Sequence, residues 1–358
     1  MTTSDLIDRP GRVRAGDELD VAAVDAFLKA QDPGLAGTPE IRQFAGGASN
    51  LTYLLAYPGH DLILRRPPFG HKAKSAHDMV REARVMQALR PVYPYVPAIV
   101  AICEDAGVLG CEFFVMERIQ GIIPRQDLPP GLDLTSEDTR HLCLSVIDRL
   151  IELHSLDPEA AGLDALGRGE GYVRRQIEGW SGRFRAVRLD GGADFEAVMA
   201  WLAERMPARE VAIRVVHNDF RLDNVVLDPA KPTHVIGVLD WEMATLGDPL
   251  MDLGNSLAYW VQADDDPTFL ALRRQPTHLP GMLTRAEVID YYHARTGLPV
   301  DHMDFYLVYG LFRLAVIVQQ IYYRYAKGQT DNPQFARFGD VARYLEHRCH
   351  VAIKAAGR

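Results

Sequence analysis

Apolar and polar positions along this chain change their period twice. Between Asp20 and Gln31, apolar residues fall at Val21, Val24, Phe27 and Leu28. That spacing predicts a helix, which Asp32-Pro33-Gly34 stops. Short β-prone runs follow at Ile41–Phe44, Leu51–Tyr57 and Leu62–Arg65, separated by Gly46-Gly47 and Pro58-Gly59. They predict a small antiparallel sheet. Ala76–Leu89 reads as a helix with Met79, Ala83 and Met86 on one face, and Ala98–Cys103 and Glu112–Ile119 read as two more strands. Beyond Gly121 the period turns helical. Thr135-x-x-Asp138 has the form of a capping box, and Leu142, Val146, Leu150 and Leu153 line one stripe of the helix it opens, through His154. Ile213–Val216 with Val225–Leu227, and then His234–Leu239, interrupt the helices with β-like pieces. Helices resume from Met251, among them an aromatic-rich one over Phe305–Tyr325. The expected class is α+β. A sheet-bearing N-terminal part covers residues 1–120, with 1–17 a flexible lead-in, and a larger, mostly helical part covers 121–358.

Composition narrows the function. Of 358 residues, 47% are apolar, enough for a packed core and against whole-chain disorder. Lys plus Arg is 39 and Asp plus Glu 48, a net charge of −9, which speaks against a general nucleic-acid binder. It leaves nucleotide binding open, since a few backbone N–H groups and one or two cations suffice for that. Cys103, Cys111, Cys143 and Cys349 form no C-x-x-C pair and read as buried thiols of a reducing compartment. The first twenty residues lack an apolar signal core, and the greasiest run, Phe305–Val318, is broken by Arg313 and short for a bilayer. The expectation is a soluble, cytoplasmic protein with no membrane partner; oligomeric state is not set by the sequence.

The chemistry concentrates in two segments. His217-Asn218-Asp219-Phe220-Arg221-Leu222-Asp223-Asn224 follows the apolar run Val211–Val216 directly. Phosphoryl transfer to a hydroxyl needs a carboxylate beside the attacking oxygen and an oxygen ligand for Mg²⁺ nearby, and H-x-D-x-x-x-x-N supplies both in Asp219 and Asn224. Asp and Asn also crowd ordinary turns. Sixteen residues on, Val238-Leu239-Asp240-Trp241-Glu242 brings Asp240 to a strand exit, where a second metal ligand belongs. Glu242 is the weaker metal candidate, beside Asp240 or in a structural ion pair. His217 reads as a packed, hydrogen-bonded histidine, since Asp219 is the better-placed base.

These two motifs, with Gly247-Asp248-Pro249-Leu250-x-Asp252-Leu253, resemble the aminoglycoside phosphotransferase and choline-kinase-like family, of protein-kinase-like bilobal fold. The closest likeness is to the phosphotransferase domains associated with acyl-CoA dehydrogenases. The family's first motif usually carries Gly where Asn218 stands. The resemblance implies ATP and Mg²⁺ as cofactors, with Asp219, Asn224 and Asp240 as catalytic residues and Asn224 and Asp240 as metal ligands. It implies a phosphate-covering loop that includes Gly46, Gly47, Ser49, Asn50 and Thr52. It places Arg65 where kinases carry a phosphate-binding Lys, paired with Glu82. Arg66, by its position, reads as a solvated strand-end charge. It puts adenine against the main chain of Glu117 and Ile119. Asp248 and Asp252 are expected as buried scaffold carboxylates holding the catalytic loop. Arg221 is open between neutralising phosphate and pairing with a neighbour. The implied acceptor is a small-molecule hydroxyl, with hydroxyacyl-CoA suggested by the dehydrogenase-associated branch. An aminoglycoside or amino alcohol would instead want acidic side chains such as Glu137 and Asp138 or Asp264–Asp266. A non-catalytic nucleotide-binding module, suggested by Arg65 and Asn218, and a metal-dependent hydrolase are the alternatives.

Overall fold

The computed structural model describes residues 6–45, 50–68 and 78–357. Gly46, Gly47 and Ser49 of the expected phosphate loop lie outside the described residues.

The described chain divides into two compact units. The first comprises residues 1–134, 159–163 and 222–244, and the second 135–158, 164–221 and 245–358. This differs from the single division at residue 120 expected from the sequence. The segment carrying Asn224 and Asp240 returns to the first unit, and the H-x-D-x-x-x-x-N motif is divided after Arg221.

The first unit is built on a five-stranded antiparallel sheet of order β1-β2-β3-β5-β4. Its strands are β1 (Glu40–Gln43), β2 (Leu51–Tyr57), β3 (His60–Arg66), β4 (Ile99–Cys103) and β5 (Phe113–Glu117). Pro58-Gly59 turns β2 into β3, with Tyr57 paired to His60 and Gly59 at φ +79°. That positive φ is why a glycine stands there. α1 (Val21–Gln31) starts at Asp20, whose side chain accepts from the Ala23 N–H at 3.0 Å. Val24 and Leu28 of α1 pack into one cluster with Tyr53, Leu55, Leu62, Leu64, Phe113 and Val115 of the sheet. α2 (Met79–Leu89) is the inserted helix, capped by Asp78, and α3 (Ala106–Leu109) is a single turn between β4 and β5. A second, two-stranded sheet pairs β7 (Val225–Leu227) with β8 (Val235–Val238). Ile122 bridges to Leu227, and a Cβ on the neighbouring Gly121 would collide with the Leu227 carbonyl oxygen.

The second unit holds α4 (Ser136–Ser155), α5 (Tyr172–Val187), α6 (Glu196–Arg205), α7 (Pro249–Ala258), α8 (Pro267–Leu272), α9 (Arg285–Thr296), α10 (Met303–Ala326) and α11 (Phe338–Ala356). The capping box at Thr135 and Asp138 forms as the spacing predicts. β6 (Arg214–Val216) pairs with β9 (Thr245–Gly247), a strand the sequence did not announce. α10 is longer than the expected apolar run, and its length and composition would suffice for a membrane crossing. Most of its apolar residues are instead buried within this unit, where it packs on α5, α7 and α11. The approach of α7 to α10 depends on Gly254 and Gly310, because a Cβ at either would strike backbone of the other helix.

Candidate active site

Within the first unit, one guanidinium organises the site. Arg65, on β3, places Nη1 2.9 Å from Glu82 Oε1 of α2 and Nη2 2.9 Å from Asp240 Oδ1. Glu82 is 1% exposed, and burial pushes its carboxyl up to about 7 against the pull of Arg65. Burial also works against the charge on Arg65, but Glu82 and Asp240 outweigh it and raise its pKa. Thr52 stands directly across from Arg65 in the β2–β3 register. The expected Arg65–Glu82 pair is therefore formed. Arg66 is a correction: it is 3% exposed and donates from Nε to the Pro67 carbonyl, so it is no solvated strand-end charge.

β7 and β8 bring Asn224 and Asp240 to one end of a hairpin. Val225 pairs with Val238, and one step beyond that pair the Leu239 N–H donates to the Asn224 carbonyl at 2.8 Å. Asp240 follows at φ +69°, a left-handed conformation that Asp tolerates better than most residues. Trp241, fully buried, anchors the turn by donating Nε1–H to the Val238 carbonyl at 2.9 Å. Arg81 of α2 donates to the carbonyls of Glu242 and Ala244. The Glu242 carboxylate accepts from Asn50 Nδ2 at 2.8 Å, which ties the start of β2 to this turn. Asn224 and Asp240 are oxygen donors of the kind Mg²⁺ takes alongside phosphate oxygens and water, which makes them the fitting pair.

β5 ends at Glu117, whose side chain lies 3.0 Å from His60 Nε2. The chain then leaves the sheet through Ile119, next to Gly237 of β8.

Within the second unit, buried carboxylates hold the catalytic loop. Asp252, on α7, accepts the backbone N–H of His217 at 2.6 Å and of Asn218 at 2.8 Å, and lies 3.1 Å from His154 Nε2. Burial would raise the Asp252 pKa, but His154 and these donors hold it below the ordinary value. Asp248 caps α7 at the Leu250 N–H (2.8 Å) and also accepts from the Val211 N–H (3.1 Å) and the Tyr306 hydroxyl (3.0 Å). Burial dominates there and pushes the carboxyl up to about 6. Asn218 adopts φ +65°, which explains why Gly is usual at this position. Its Oδ1 accepts from the Tyr172 hydroxyl at 2.9 Å. His217 is fully buried, and its Nδ1 accepts the Asp219 N–H at 3.2 Å.

Arg221, left open by the sequence, places Nη2 3.3 Å from Asp219 Oδ2, with its guanidinium 4.6 Å from the Tyr259 ring centre. Tyr259 was not singled out; nothing in its sequence surroundings distinguishes it from the core aromatics. Three of the acidic candidates for a polycation, Asp138, Asp265 and Asp266, are engaged elsewhere. Asp265 lies 2.7 Å from Arg285 and 3.1 Å from Arg348. Asp266 caps α8, and Asp138 closes the α4 capping box.

Comparison with known proteins agrees with this architecture. Residues 40–299 match the phosphotransferase enzyme family, APH. Acyl-CoA dehydrogenase family member 10 of Mus musculus is 35% identical over 326 residues, covering 89% of this chain and 30% of that protein. The chain spans less than half the length of the curated dehydrogenase relatives it matches. A candidate aminoglycoside phosphotransferase of Ralstonia eutropha is 30% identical, with a TM-score of 0.80 over 94% of this chain and 99% of that one. The aminoglycoside phosphotransferase APH(4)-Ia, solved as a ternary complex with AMP-PNP and hygromycin B, shares the protein-kinase-like fold. Its TM-score is 0.57 at 16% identity, covering 94% of this chain and all of that one.

Proposed function

This chain belongs to the phosphotransferase enzyme family, and we propose that it transfers the γ-phosphoryl group of ATP to a hydroxyl of a small acceptor. The observation that carries this reading is Arg65, joined at 2.9 Å both to Glu82 and to Asp240. A forked cation fixed beside an oxygen-donor pair is what a nucleotide's phosphates require.

Arg65 binds α- and β-phosphate oxygens, with Glu82 fixing the direction of its guanidinium. Asn224 and Asp240 hold Mg²⁺, which when bound neutralises charge on the phosphates. The main chain at Glu117 and Ile119 meets the adenine edge. Asp219 orients the acceptor hydroxyl and takes its proton, late in a loose transition state. Positioning and charge stabilisation supply most of the acceleration. AMP-PNP bound to a protein of the same fold supports the nucleotide.

For the acceptor we propose a hydroxyacyl-CoA. The match to a dehydrogenase relative supports it, and Asp265, one of the acidic residues a polycation would use, is paired with Arg285 and Arg348. The test is incubation with Mg-ATP and a panel of hydroxyacyl-CoAs, aminoglycosides and amino alcohols, with products read by mass spectrometry. Asp219→Asn should abolish turnover and keep nucleotide affinity. An equally active variant, or ATP binding without any phosphorylated product, refutes the reading.

A further inference from the structure

Arg313 lies in the middle of α10 and is only 4% exposed. Among the described residues its side chain has no hydrogen bond and no ion pair; its contact is a cation–π approach, 5.2 Å from the Trp180 ring centre. Its nitrogens are nevertheless not among the sealed, unpartnered polar atoms of the described chain, so they reach accessible space. Arg183, exposed on α5, lies over the same indole at 4.6 Å. Two arginines therefore converge on one tryptophan with no carboxylate between them. A buried guanidinium without an anion is costly, and a ring face offsets only part of that cost.

Trp180 stands on α5, the helix whose first residue, Tyr172, reaches the catalytic loop. Burial raises the hydroxyl pKa of both Tyr172 and Tyr309, and the charge of Arg313 pulls each the other way. Tyr172 in turn donates to Asn218, the residue before Asp219. Asp252 also acts on both tyrosines, but its carboxylate is committed to His154 and to the N–H groups of His217 and Asn218. Among the described residues no carboxylate pairs with Arg313.

We propose that Arg313, with Arg183 and the face of Trp180, forms the subsite that receives an anionic group of the acceptor, a carboxylate or a phosphate. This rests on the reading of the second unit as the acceptor-binding part of a phosphotransferase. It deepens that reading by requiring the acceptor to be an anion. Trp180 supplies a flat apolar wall, and each guanidinium is a forked donor suited to planar carboxylate or to phosphate oxygens.

The test compares the full chain with Arg313→Met and Arg313→Lys. Thermal stability and tryptophan fluorescence are followed with 3-hydroxybutyryl-CoA, free 3-hydroxybutyrate or coenzyme A as probe, with Trp180→Phe as the fluorescence control. The parent should melt higher with at least one of these anions. Arg313→Met should lose roughly tenfold or more in affinity for it, with Arg313→Lys intermediate and ATP affinity unchanged. A response to coenzyme A and its thioester identifies phosphate, and a response to the free acid identifies carboxylate. Without ligand, Arg313→Met should melt no lower than the parent, because the substitution removes a buried charge that lacks a partner. A variant that melts lower and binds the anions as the parent does overturns the subsite, as does a parent that none of the anions shifts. An Arg313-dependent anion response with no phosphorylated product from any acceptor keeps the subsite and removes the phosphotransfer reading. Turnover that Arg313→Met leaves unchanged does the reverse.

Discussion

Asp252 holds the backbone nitrogen of His217 at 2.6 Å, across 35 residues of sequence. The same carboxylate takes the Asn218 N–H, so the start of the catalytic loop hangs from a single side chain on α7. Asp252→Asn puts an amide where an oxygen now accepts and breaks the buried pair with His154. A loss of about 3–5 kcal/mol is expected in urea denaturation. The pH dependence has a definite sign. The folded-state pKa of Asp252 lies below its ordinary value, so its contribution is present above about pH 4 and is lost as pH falls through the lowered value. In the variant that acid-limb loss should be smaller.

Asp248 shows the opposite sign. Its carboxyl is raised from 3.8 to about 6 by burial, so the folded chain binds a proton that the unfolded chain has released. Stability from this group is full below about pH 4 and declines as pH rises to about 6, by about 3 kcal/mol at most. Asp248→Asn, uncharged throughout, should flatten that part of the stability profile even though it weakens the cap of α7. An unchanged slope in chemical denaturation between pH 4 and 6.5 would contradict this.

Arg65→Lys tests the fork. One ammonium cannot place two nitrogens 2.9 Å from both Glu82 and Asp240. The expected result is a stability loss of about 1–3 kcal/mol and weaker nucleotide binding, read by calorimetry. Glu82→Gln keeps the shape of the pair and should weaken nucleotide binding less than Arg65→Lys does.

Asn218 offers a comparison of two small substitutions. Gly relieves the strain of φ +65° by roughly 1 kcal/mol but gives up the hydrogen bond from Tyr172, also worth about 1 kcal/mol, so Asn218→Gly should be near neutral. Asn218→Ala keeps the strain, loses the bond and should cost about 1 kcal/mol. Thermal melts of the two variants decide it. A Gly variant as unstable as the Ala variant would show that the hydrogen bond, not the backbone, governs this position.

Several features were legible because they are local. The helix over Val21–Gln31, the Pro58-Gly59 hairpin and the Thr135–Asp138 capping box each depend on a few neighbouring residues whose conformations are set by sterics and short-range hydrogen bonds. Others were not. Arg66 reads as a strand-end charge until burial is known. Strand β9 is three residues with no alternation to betray it, and it exists because β6 is there to pair with it. Glu242 carries the same carboxylate whatever it binds, and its bond from Asn50 spans 192 residues.

By itself the sequence determined the type and order of the main elements and the spacing of Asp219, Asn224 and Asp240, since period, turn chemistry and motif distance are properties of neighbours along the chain. Only the tertiary structure decided which charges meet. It gave Arg65 to two carboxylates, Arg221 to Asp219, and Arg313 to no carboxylate among the described residues. An ion pair forms or fails according to burial and distance between segments far apart in sequence, and neither quantity is written in the local pattern.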